Sequence, residues 1–306
     1  METSGTRPSR RAVLALGAGA ALTAAVSTDG VAYAASPGVG DRISRALSNL
    51  EKEHSARLGV FAYNTVTGRS VLHRAKESFP ICSVFKTVAA AAVLRDLDRH
   101  GEVLAKRIRY TEKDVADSGY APITGTPEHL ADGMTVAELC GAAIAYSDNT
   151  AANLLLRELG GPTAVTRFCR SIGDETTRLD RWEPQLNSAE PWRATDITSP
   201  AAIARTYAKL TLGNALTPRD RQQLTAWLLA NTTSGARFRA GLPQGWTLAD
   251  KTGTGEYGTT NDVGVAWTPD RTPIVLAVLS TQHDADAPAD EPLVAKTAAL
   301  LAAALA

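Results

Sequence analysis

Both ends of this 306-residue chain read as strands plus a helix, while the middle reads as one helix after another. That distribution predicts an α/β (α+β) fold: a five-stranded antiparallel sheet built from both chain termini and flanked by helices, with an all-α domain inserted. Three observations carry the prediction. Apolar segments at 58–63 and 70–73 flank Thr65-Val-Thr-Gly68 and make a β-hairpin. Three β-rich segments, 246–251, 262–267 and 273–280, are separated by Gly or Pro turns near the other end. Between them lie helical stretches at 135–145, 150–159, 162–172, 200–212 and 218–230. The sheet domain is therefore expected to be discontinuous, 38–80 and 231–306, around a helical domain at 81–230.

In chain order, 41–54 carries Ile43, Leu47 and Leu50 at helical spacing, the pattern of an amphipathic surface helix. The hairpin follows. Pro80-Ile-Cys-Ser83-Val-Phe-Lys86 then contains the only S-x-x-K of the chain and runs into an uncharged stretch from Thr87 to Leu94. A proline that ends an extended segment, followed by alanine-rich apolar sequence, predicts a buried helix. On it Ser83 and Lys86 share a face. Burial and the positive end of the helix dipole both disfavour an ammonium there, so an amine able to take a proton beside a hydroxyl is expected. Taken alone, the same residues also suit a capping serine and a lysine reaching out to water. The last segment, 291–305, is an alanine-rich helix, and no internal repeat is evident.

Residues 1–34 are read separately. Arg10-Arg11 precedes an apolar run to Val26, and Ala32-Tyr33-Ala34 offers a cleavage site, so an export signal of twin-arginine type is expected, with an ordinary secretory signal as the alternative. The protein is accordingly expected to be secreted, without a membrane anchor. The 32 basic residues balance 32 acidic ones, so nothing in the composition favours nucleic acid or an anionic membrane as partner. No apolar stripe demands a second subunit, and a monomer is expected. The five histidines are scattered without metal-ligand spacing, and neither a metal nor another cofactor is expected. Cys82, Cys140 and Cys169 do not amount to a disulfide framework.

Three further motifs follow the S-x-x-K. Ser147-Asp148-Asn149 stands at a helix junction, Lys251-Thr252-Gly253 ends a strand, and Arg181-Trp-Glu183-Pro-Gln-Leu-Asn187 lies in an aperiodic stretch at about 179–198. A loop of that length inside a domain is usually functional. Each motif alone is weak. In this order, with the linking text 132–140 and 147–156, the chain resembles the class A serine β-lactamases over essentially its whole length after the signal.

The resemblance implies hydrolysis of a small-molecule β-lactam, conferring antibiotic resistance. Ser83 would be acylated; either Lys86, or Glu183 through a water, would take its proton. Ser147 would protonate the departing nitrogen, held by Lys251. Asn149 would orient Lys86, while Asp148 is expected as a structural cap. Glu183 and Asn187 would hold the deacylating water. The oxyanion would meet the backbone N–H groups of Ser83 and Thr254. Thr252, Thr254 and Arg237 would bind the ring carboxylate, with Arg239 as competitor for the last role. Gly253 and Gly255 would let the strand approach the substrate, and Tyr120 would stand at the cleft mouth. Arg181 and Asp196 would close the neck of the loop.

Some relatives bridge the Cys140 position to the Ser83 helix; Ala90 stands at the corresponding place, so no such bridge is expected. Carbapenem-hydrolysing members often link the positions of Cys82 and Gly255. A glycine cannot, which points to penicillins, and early cephalosporins, as better substrates. A penicillin-binding peptidase or a covalent β-lactam sensor would share the nucleophile but lack a deacylating Glu183, and a serine glutaminase would not need both S-D-N and Glu-Pro.

Overall fold

A computed structural model describes residues 37–306. The export signal expected at 1–34 lies outside the described residues. The described residues open with α1 (Pro37–Glu53), which buries Leu47 and Leu50. The hairpin follows as β1 (Arg57–Asn64) and β2 (Ser70–His73). The remaining strands come from the far end: β3 (Thr247–Thr254), β4 (Thr260–Trp267) and β5 (Pro273–Thr281). The order is β2-β1-β5-β4-β3, and every neighbouring pair is antiparallel. The register Val60↔Val278 stitches the first strand to the last. The five-stranded sheet built from both termini is thus present.

The strands read as continuous apolar runs because both faces of the sheet are covered. In β5, Ile274, Leu276 and Val278 join the core beneath the terminal helices, whereas Val275, Ala277 and Leu279 join the core shared with the helical segment. Alternate residues of one strand therefore feed two different cores.

The central helices are α2 (Phe85–Ala92), α3 (Val136–Ala145), α4 (Asn149–Glu158), α5 (Thr163–Ser171), α6 (Pro200–Thr211) and α7 (Pro218–Leu229), and α8 (Glu291–Leu305) closes the chain. Their starts follow local chemistry. Thr135 and Glu138 form a reciprocal capping box, and Ser199 and Thr217 cap helices whose first turn holds a proline. Short helices at Glu112–Ser118 and Pro127–Asp132 fall where only loop was expected, being too brief for a 3.6-residue period to show.

Two departures shape the site. The strand expected to stop at Lys251 runs on to Thr254, because Thr252, Gly253 and Thr254 pair with Asp262, Asn261 and Thr260. It is also the edge strand, so its outer backbone edge faces away from the sheet. The Ser83 helix opens with a 3-10 turn, Cys82–Val84, before α2 begins.

Candidate active site

Ser83 lies in the first turn of a wholly buried helix, and Cys82 before it is held in the left-handed region at φ 44°. A non-glycine residue there costs about 1–3 kcal/mol and aims its neighbour in a way an ordinary helix start would not. The Ser83 Oγ donates to Glu183 Oε1 at 3.3 Å. The same carboxylate oxygen pairs with Lys86 Nζ at 3.0 Å, with both side chains fully buried. Lys86 Nζ also donates to the Ser147 carbonyl at 2.7 Å and to Asn149 Oδ1 at 2.6 Å.

Burial pushes Lys86 below the ordinary lysine value, and the adjacent Glu183 opposes that push. Besides Glu183, the Ser147 carbonyl and Asn149 Oδ1 accept from Nζ, and the Ser147 hydroxyl lies 3.5 Å from it, a convergence of acceptors that the sequence could not reveal.

Glu183 comes from the aperiodic stretch 179–198. Its backbone is clasped by Asn153 on α4, whose amide donates to the Glu183 carbonyl at 2.9 Å and accepts from the Glu183 N–H at 3.0 Å. Asn187 Nδ2 donates to Glu183 Oε2 at 2.5 Å, and Asn187 Oδ1 is buried with no donor among the described residues. The neck of the loop is closed by Asp196, which accepts from Arg181 Nε at 2.5 Å and from the N–H groups of Asp180 and Arg181 at 2.8 and 3.0 Å.

Ser147 faces Ser83 across the cleft from a left-handed backbone, φ 59°. Lys251 Nζ donates to its hydroxyl at 3.0 Å. Lys251 is fully buried and held well below the usual lysine range by burial, then by the positive charges of Lys86 and Arg237. Asp148 caps α4 through Ala151 N–H and accepts from Thr124 and Ile123, so it is consumed by backbone.

Ser83, Ser147, Asn149, Asn187, Thr252 and Thr254 line one cleft of about 400 Å3, with Tyr120 exposed at its rim, while Lys86, Glu183 and Lys251 are buried against these wall residues. Arg237 enters the same cleft, donating to the Gly253 and Asn261 carbonyls, each at 2.9 Å, and to Thr254 Oγ1 at 2.7 Å. Arg239 turns away and pairs with Asp250 at 3.5 Å. Gly253 and Gly255 have a different use from the one expected. A Cβ on Gly253 would lie 3.2 Å from Cys82 Cβ, and one on Gly255 would lie 2.8 Å from the Asn187 carbonyl and from Cys82 Sγ. They let the edge strand close on the Ser83 turn and the loop, and Gly253 does not line the cleft. All three cysteines are unpaired.

A buried hydroxyl donating to a carboxylate that also meets a lysine has a proton acceptor in reach, the arrangement that nucleophilic catalysis requires. Comparison with known proteins narrows the chemistry. A model of the β-lactamase enzyme family matches residues 42–305. The chain is 67 % identical over 305 residues to a β-lactamase of Streptomyces lavendulae, covering all of both chains. It is 63 % identical to one of Streptomyces fradiae, covering 100 % of this chain and 99 % of that one. The solved structure of a β-lactamase from Streptomyces albus G superimposes with a TM-score of 0.86 at 63 % identity, over 87 % of this chain and 100 % of that one. The chain belongs to the class A serine β-lactamases.

As a β-lactamase it is a hydrolase of β-lactams, an activity that confers resistance to them. No helix among the described residues of this β-lactamase is long and apolar enough to cross a membrane. Three cleft or cleft-supporting residues escaped the sequence reading. Asn153 carried a faint signal, since it lies four residues after Asn149 on the same helix face. Thr233 and Glu291 line the cleft from segments distant in sequence, and no local pattern marks them.

Proposed function

We propose that the enzyme opens the β-lactam ring by way of an acyl-serine. Ser83 Oγ attacks the lactam carbonyl carbon and forms the ester bond as the ring C–N bond breaks. The Ser83 proton goes to Glu183 Oε1, the acceptor within reach. The ring nitrogen takes a proton from Ser147, and Ser147 is made good by Lys86, 3.5 Å from its hydroxyl, which in turn recovers the proton from Glu183 at 3.0 Å. Lys251 and Lys86 hold the Ser147 hydroxyl and backbone, and Asn149 holds Lys86. The carbonyl oxygen charges up between the backbone N–H groups of Ser83, in a helix first turn, and Thr254, on an edge strand. Arg237, Thr252 and Thr254 take the ring carboxylate, and Tyr120 borders the entrance. In the second half a water between Glu183 and Asn187 Oδ1 gives its proton to Glu183 and attacks the ester carbon; the bond to Ser83 Oγ breaks, and Glu183 returns the proton to that oxygen.

The observation that carries this reading is Glu183 bonded at one oxygen to the nucleophile and at the other to Asn187. One carboxylate then serves both halves of the cycle. A peptidase or sensor that stays acylated does not account for that second partner. The test is Glu183→Ala with benzylpenicillin, followed by intact mass. The expected result is turnover lowered at least a hundredfold, with an adduct of the drug's full mass that forms slowly, Lys86 being left to take the Ser83 proton, and then persists. Unchanged turnover removes Glu183 from the mechanism.

The finer substrate reading is penicillins, with early cephalosporins, over carbapenems. It is supported by the unpaired Cys82 beside a Gly255 that cannot bridge to it. A higher kcat/KM for a carbapenem than for a penicillin would refute it. We also propose that the enzyme is exported by the signal at 1–34 and acts as a monomer, with the helical segment 81–230 inserted as a domain in the sheet domain of 38–80 and 231–306.

A further inference from the structure

Arg237 and Glu291 are the only residues lining the cleft that carry a full charge, and they stand side by side at its carboxylate end. Arg237 is buried, whereas Glu291, in the first turn of α8, is 39 % exposed. A guanidinium has five N–H groups. Nε of Arg237 donates to Glu291 Oε1 at 3.3 Å. One terminal nitrogen gives both hydrogens to the Gly253 and Asn261 carbonyls, and the other gives one to Thr254 Oγ1. One N–H is left with no acceptor among the described residues. Glu291 Oε2 likewise accepts no hydrogen bond among the described residues. Asp290, next in the chain, adds no second anion to the cleft, since it pairs with His54 at 2.7 Å and caps α8 through the Leu293 N–H at 3.0 Å. Lys86, Glu183 and Lys251 are buried behind the wall.

We propose that Glu291 binds a positive charge on the substrate, so that the enzyme favours cephalosporins with a cationic substituent beside the ring carboxylate over those with an uncharged one. The inference rests on the carboxylate-binding role given to Arg237 above. A plain carboxylate is attracted by Arg237 and repelled by Glu291, and the two effects largely cancel. A substrate with a cation next to its carboxylate meets the opposite sign at both positions.

The chemistry of the substrate supplies that arrangement. A cephalosporin carries its carboxylate and its variable substituent on adjacent ring carbons. With the carboxylate on the spare N–H of Arg237, the substituent lies next to it, where Glu291 is exposed and has an oxygen free. A penicillin has two methyl groups on the corresponding carbon and gains nothing from Glu291. An ion pair in contact with water is weak, so the preference is expected to be modest.

The test compares cephaloridine with cephalothin. They share one acyl group and differ beside the carboxylate, with a pyridinium in the first and an uncharged acetoxy group in the second. Their intrinsic reactivities differ, so the readout is the ratio of their kcat/KM values in the wild-type enzyme divided by the same ratio in Glu291→Gln. Glutamine keeps an oxygen for Arg237 Nε and loses the charge. The quotient should be about two to five at low salt and fall toward one as salt approaches about 1 M. A purely structural role for Glu291 would affect both drugs alike. A quotient of one at low salt, or one that salt does not move, therefore overturns the assignment of Glu291. The methyl ester of cephalothin tests the underlying role of Arg237 separately: the wild-type enzyme should prefer the free acid, and equal kcat/KM values for acid and ester would overturn the carboxylate reading itself.

Discussion

Asp196→Ala isolates what the loop neck contributes to turnover. The Asp196 carboxylate is 1 % exposed and accepts from two backbone N–H groups and from the Arg181 guanidinium. Truncation leaves those donors without their acceptor and a guanidinium without its anion. Breaking one partner of a buried ion pair costs about 3–5 kcal/mol. Little of the hydrophobic core depends on this segment, so the cost is expected as local opening of the loop rather than global unfolding. At about 1.4 kcal/mol per decade, the closed loop loses on the order of a hundred- to a thousandfold in relative population. Glu183 rides on that loop and Ser83 does not, so ester hydrolysis should slow more than acylation. Two measurements decide the matter. Hydrogen exchange should speed up in 180–196 while α2 and the sheet stay protected, and rapid-quench mass spectrometry should find acyl-enzyme building up during turnover. Unchanged exchange in the loop together with an unchanged rate of ester hydrolysis would refute the reasoning.

Gly255→Val should lower kcat at least tenfold and destabilise by about 1–3 kcal/mol, because a side chain there collides with the Asn187 carbonyl and Cys82 Sγ; a melting temperature and kcat equal to wild type would count against the close packing. The Arg193 guanidinium holds Glu190 down to about 2. The unfolded state therefore binds more protons in the acid range, and this contribution is complete above the ordinary glutamate range and lost as pH falls from about 4.5 toward 2. Glu190→Gln should thus reduce stability at neutral pH and flatten its acid dependence, read from urea midpoints across that range; parallel curves for the two proteins would be contrary.

Much of the architecture was legible because it is written in short-range pattern. Helices announced themselves by period, as at 135–145 and 200–212, and the structure adds the caps, Thr135 with Glu138 and Ser199 before Pro200. Strands showed as apolar runs bounded by turns. The Ser83 turn was readable because a lysine in an uncharged alanine-rich segment is anomalous wherever it occurs. Where the reading stopped, the missing information was long-range. β3 outran its apolar run because β4 was there to pair with Thr252, Gly253 and Thr254. Gly253 and Gly255 served the contact with the Ser83 turn, which no neighbouring residue discloses.

The sequence by itself determined the order of the elements, the sheet shared between the termini and the residue types that carry the chemistry, because periodicity and side-chain reactivity are local properties. Only the tertiary structure decided which acceptors converge on Lys86 and that Arg237 and not Arg239 reaches the cleft. Charge state, reach and proton position depend on what burial brings within about 3 Å, and that is settled by packing between segments up to two hundred residues apart.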